Sequence, residues 1–78
     1  MDPMLGEIVY VAFDFAPRGY HACDGSTMQI SANAALFALL GTTYGGDGVH
    51  TFALPHLPAT IGHGGLYVIA TQGTFPTR

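Results

Sequence analysis

Four histidines, a single cysteine and a few carboxylates are the residues of this chain that could do chemistry. His21, His50, His56 and His63 offer imidazole, the commonest protein ligand for zinc. No two of them form an HxH, HxxxH or HExxH pattern, so a site within one chain has to be gathered by the fold. A symmetry axis would supply one histidine three times; His56 and His63 are the candidates for such a site. Ordinary loop hydrogen bonding is the stronger reading, and neither metal nor cofactor is expected. Cys23, without a cysteine partner, reads as a small buried hydrophobe rather than a nucleophile. Asp14, Asp24 and Asp47 each stand in a turn context, where an aspartate side chain bonds nearby backbone. The glycine-dense GGDG at 45–48 lacks the lysine of a phosphate loop and precedes a strand rather than a helix. No enzymatic activity is expected from these residues.

The elements that must position them centre on LFALLGTTYGGDGVHTFAL, residues 36–54. Leu36, Phe37, Leu39 and Leu40 close a helical pattern, and Gly41 follows where a helix commonly needs a left-handed residue. Gly45, Gly46 and Gly48 around Asp47 predict a loop shaped by its backbone, and Thr51, Phe52 and Leu54 resume an extended pattern that Pro55 ends. Upstream, EIVYVAF reads as a strand with apolar residues on both faces, and Asp24-Gly25 as a tight hairpin turn between strands near 20–23 and 27–30. Ser31 is placed to cap a helix over about 32–40, apolar nearly all round and so expected to be buried on most faces. Further strands are expected near 7–13, 50–54 and, as LYVIA, at 66–70. The predicted fold class is α+β: one small β-rich domain over residues 1–78 with a short central helix.

Composition then bounds the function. The chain has 78 residues, of which 49% are hydrophobic and only 9% charged. An ordinary soluble domain carries about 25% charged residues, and a chain this small shelters only about 60% of its surface. Apolar side chains left over should form a patch that a partner covers. A net charge of −3, with Arg18 and Arg78 the only fixed cations, excludes nucleic-acid binding through phosphate neutralisation. No apolar run approaches the roughly 20 residues of a spanning helix, so membrane insertion is not expected. The amino end lacks the basic region of a secretory signal, so export without a Sec signal peptide is the expectation. Tyr10, Tyr20, Tyr44 and Tyr67 suit core or interface positions better than a sugar-stacking surface.

The succession GEIVYVAFDFAPRGYHACDG, ISANAALFALLGTTYGGDG and TFALPHL resembles the tail-collar domain of phage tail-fibre proteins, whose bacterial homologues include microcystin-dependent proteins. The resemblance spans Leu5 to about Leu57, and YVIATQGTFPTR looks like the closing strand and tail of compact members. Tyr20 stands where the family generally has tryptophan. His56 to Gly62 replaces the usual DLRGR and its polar loop, so the distal receptor-binding region is expected to be missing. The resemblance implies a noncatalytic structural subunit of a virion tail or extracellular appendage. Its expected partners are further copies of itself and other tail or appendage proteins, with a cell-surface glycan as the alternative. The expected assembly residues are Ile8, Val9, Tyr10, Val11 and Phe13 in one apolar run and Leu66, Tyr67, Val68 and Ile69 in the other, each as a strand offered to a neighbour's sheet.

Overall fold

The computed structural model of the protein describes residues 3–57 and 65–77. Its strands are β1 (Ile8–Val11), β2 (Tyr20–Ala22), β3 (Thr27–Gln29), β4 (Thr51–Ala53) and β5 (Leu66–Ala70), with one helix, α1 (Ala34–Leu40), between β3 and β4. They form two antiparallel sheets, one in the order β1-β5-β2 and one pairing β3 with β4. Mixed strands with a single helix make the fold α+β, as the sequence predicts.

LYVIA is a strand over exactly the predicted span because its bulky apolar residues can be buried on both faces, and Val68, Ile69 and Ala70 are fully buried. Its place in the sheet corrects only the expectation that it offers an edge to a neighbour. Strand β5 lies at the centre, with Ile8 opposite Ile69 and Tyr10 opposite Tyr67 on one side and His21 opposite Ile69 on the other. Both its ladders are occupied, so Leu66, Tyr67, Val68 and Ile69 do not present an edge to another molecule.

The first strand is shorter than expected. It ends at Val11, no residue of it is fully buried, and the chain bends through Ala12–Phe15, where the Phe13 and Phe15 rings sit 4.6 Å apart. A three-stranded sheet without a layer on each face cannot bury an outer strand twice.

Asp24-Gly25 does not close a hairpin. Strand β2 pairs with β5 and β3 pairs with β4, so the dipeptide carries the chain from one sheet to the other. Asp24 is bridged to His56, Gly25 N–H donates to Pro55 O at 3.3 Å, and Ser26 N–H donates to Asp24 Oδ1 at 3.0 Å.

Helix α1 begins at Ala34, after a 3-10 turn over Ile30–Ala32 that takes up Ser31, so Ser31 is not its cap. Asn33 holds the junction by donating from Nδ2 to Gln29 O at 3.0 Å. The sequence AALFALL consists mostly of strong helix formers and stops at Gly41, φ 57°, whose N–H returns to Phe37 O at 2.7 Å. Only Leu36 of this helix is fully buried, although all seven of its residues are apolar. Leu36 joins Leu5, Cys23, Phe52, Leu54 and Ile69 in the core, and Met28, Ile30, Phe37, Leu40 and Tyr67 pack against that group. The core thus draws on both sheets and the helix.

Candidate functional site

Two features of functional interest emerge, a glycine loop laid on β4 and a set of exposed apolar side chains, some of them on β1. The loop is built from Asp47. Its Oδ1 accepts the backbone N–H groups of Val49 and His50 at 2.8 Å and of Thr51 at 2.9 Å. Thr51 reciprocates, its Oγ1 accepting from Asp47 N–H at 3.2 Å. Three donors, led by Thr51 N–H, hold the Asp47 carboxyl well below the usual carboxylate range.

The glycines let this loop lie against β4. Gly46 has φ 95°, and a Cβ there would fall 2.7 Å from Thr51 O and closer still to the Phe52 backbone. Ala53 N–H donates to Gly45 O at 3.0 Å and Gly48 N–H to Thr51 O at 3.0 Å, so the loop covers the outer edge of β4. The loop is therefore held by the Asp47 and Thr51 side chains together with backbone bonds to β4.

Chemistry is poorly served elsewhere. Among the described residues no three of the His, Cys, Asp and Glu side chains come together as a metal would need. His56 pairs with Asp24 through backbone alone, with no two further carboxylate, thiol or imidazole side chains gathered around it among the described residues, and His63 lies outside the described residues. His50 Nδ1 is 4.0 Å from Asp47 Oδ2, with both side chains exposed, which is worth little in water. Cys23 is buried, and burial followed by the Asp24 charge pushes its thiol pKa up, away from the reactive thiolate. The Asp24 carboxyl is held down chiefly by the Ser26 hydroxyl, in keeping with a turn aspartate.

Two open clefts flank the sheets. One, of about 400 Å³, is lined by Gln29, Ile30, Ser31, Val49, His50 and Thr51. The other, of about 470 Å³, lies between Arg18–Tyr20 and Gln72–Thr74. The first brings the His50 imidazole beside the Ser31 and Thr51 hydroxyls, and the second carries Arg18 and Tyr20.

The chain over residues 6–61 matches the Phage Tail Collar Domain family. The protein belongs to the phage tail collar domain family. The match takes in β1 to β4, α1 and the glycine loop, the parts whose geometry is set out above. A tail collar domain is a structural part of phage tails, and that coarse role extends to this member. Neither a curated protein nor a solved structure matches the chain.

Within the collar fold the apolar residues expected to mediate assembly divide. Val68 and Ile69 are fully buried in the molecule, whereas Ile8 (40% exposed), Tyr10 (37%) and Phe13 (40%) lie at its surface. The expectation omitted Phe15, which is 61% exposed beside Phe13. The signal was present in FDF, since two aromatics spaced by one residue share a side wherever the backbone is extended. Met4, Val49, Leu57 and Phe75 are also large, apolar and exposed.

Proposed function

We propose that this collar domain is a noncatalytic subunit that assembles with further copies of itself, and with other tail proteins, into a phage-tail-like fibre or extracellular filament. The observation that carries the reading is the exposure of large apolar side chains: Ile8, Tyr10, Phe13 and Phe15 stand at the surface of a chain with only 9% charged residues. Burying such side chains against another copy contributes roughly 25 cal/mol for each Å² removed from water, and few charges need to be desolvated in the process. The location that follows is a virion tail or an extracellular appendage.

Light scattering and negative-stain imaging of purified protein test this. Discrete oligomers or fibres are the expected result, and a monodisperse monomer at micromolar concentration would contradict it. The second reading, a glycan-binding tip, draws on the cleft beside His50, where Gln29, Ser31 and Thr51 supply polar groups and Val49 an apolar one. A glycan array with His50→Ala and Tyr44→Ala separates the two, since the structural reading expects neither specific binding nor any change between variants.

A further inference from the structure

The two outer strands of the larger sheet, β1 and β2, finish their edges differently. In an antiparallel ladder the backbone groups of successive residues point alternately towards and away from the partner strand. Ala70 N–H donates to Glu7 O at 2.9 Å, and in the register of β1 with β5 this sets Val9 and Val11 facing β5. The N–H and C=O of Ile8 and Tyr10 therefore point outward, and no described residue gives or takes a backbone hydrogen bond there.

Strand β2 obeys the same parity with another outcome. Cys23 N–H donates to Tyr67 O and Thr71 N–H to Gly19 O, both at 2.9 Å, which turns Tyr20 and Ala22 outward. Here two of the four outward groups are taken up locally. Tyr20 N–H donates to Pro17 O at 3.0 Å, and His21 Nδ1 donates to Ala22 O at 2.8 Å. One edge is partly blunted by its own neighbours, as sheet proteins do to discourage pairing, while the other has none of its outward groups taken up by a described residue and carries neither lysine nor proline within Ile8–Val11.

We propose that the outer edge of β1 pairs antiparallel with β1 of a second copy about a two-fold axis at Val9, joining the two sheets into one of six strands. This rests on the assembly reading above and names its contact. The outward groups of Ile8 and Tyr10 are symmetric about Val9, so Ile8 lies opposite Tyr10 of the second copy and the reverse, and all four outward groups on each copy find partners. The exposed side chains of Ile8 and Tyr10 meet across the seam as an aliphatic–aromatic pair, a favourable cross-strand combination. Glu7 falls opposite Val11, so the two acidic side chains do not face one another. A parallel pairing would set them side by side.

The test compares Ile8→Pro with Ile8→Ala and adds Val9→Cys. Both Ile8 variants lose the side chain, but only proline removes the outward N–H, at the first residue of a strand where proline is tolerated. Ile8→Pro should keep the circular dichroism and unfolding transition of Ile8→Ala yet self-associate at least about tenfold more weakly by light scattering, since two hydrogen bonds of the symmetric dimer are lost. Val9→Cys should give a covalent dimer on a non-reducing gel under mild oxidation, whereas the parent, whose only cysteine is the buried Cys23, should not. If the parent associates, but Ile8→Pro does so as tightly as Ile8→Ala and Val9→Cys stays single, the edge pairing is overturned and the assembly reading stands. A parent that remains monomeric, with Val9→Cys uncrosslinked, overturns both.

Discussion

Asp47 shows how a single exposed side chain can organise a loop. Its carboxylate bonds three consecutive backbone donors, so folding favours the ionised form and lowers the pKa. A carboxyl depressed in the folded state contributes stability that is fully present above its unfolded pKa of about 3.9 and is lost as pH falls below it. Asp47→Asn keeps an acceptor but not the charge. It should lower Tm at pH 7, and the two proteins should converge as the pH is taken below about 4. Thermal unfolding by circular dichroism from pH 7 to pH 2 reads this directly, and a constant difference over that range would disprove the charge-based account. The role of Asp47 in a turn was legible in its glycine-rich setting. Which donors it takes was not, because they depend on how the loop lies against β4.

Among the elements, the helix end and the loop on β4 test two different uses of glycine. Gly41 has φ 57° and ψ −145° with open space where a Cβ would stand, so Gly41→Ala meets only the cost of a backbone region that residues with a Cβ seldom adopt, about 1–3 kcal/mol. Gly46 combines φ 95° with direct contact to the Phe52 backbone, so Gly46→Ala must lift the loop from the strand as well. Its cost should exceed that of Gly41→Ala, reaching about 3 kcal/mol or more in urea unfolding. Equal costs would mean that the close approach is unimportant. Both glycines were picked out from sequence as backbone-shaped positions, whereas the approach of residue 46 to residue 52 needed the loop's path.

At the scale of the whole molecule, the core is small and every member counts. A 78-residue chain has a total stability of only about 4–12 kcal/mol. Leu36, 1% exposed, is the one helix residue fully inside the core that draws the sheets together. Leu36→Ala should cost about 2–5 kcal/mol and lower Tm by more than about 10 °C. Calorimetry would show it, and a shift of only a degree or two would mean that α1 is dispensable. The adjacent Leu39 lies partly at the surface, so periodicity within an almost uniformly apolar helix did not reveal which face is buried. The same thin core explains why so much apolar surface remains outside it.

Local sequence determined the features that depend on neighbours along the chain. LYVIA is a strand over its predicted span, the helix stops at Gly41, and Asp47 ties its loop, because propensity, capping and short-range hydrogen bonds are set within a few residues. Tertiary structure alone decided the pairing. Strands that look alike in sequence became a central β5 and an outer β1, and Asp24-Gly25 became a crossing between sheets. A backbone edge carries no local mark of the strand it will meet, and a turn dipeptide bends the chain equally well towards its own hairpin or towards another sheet.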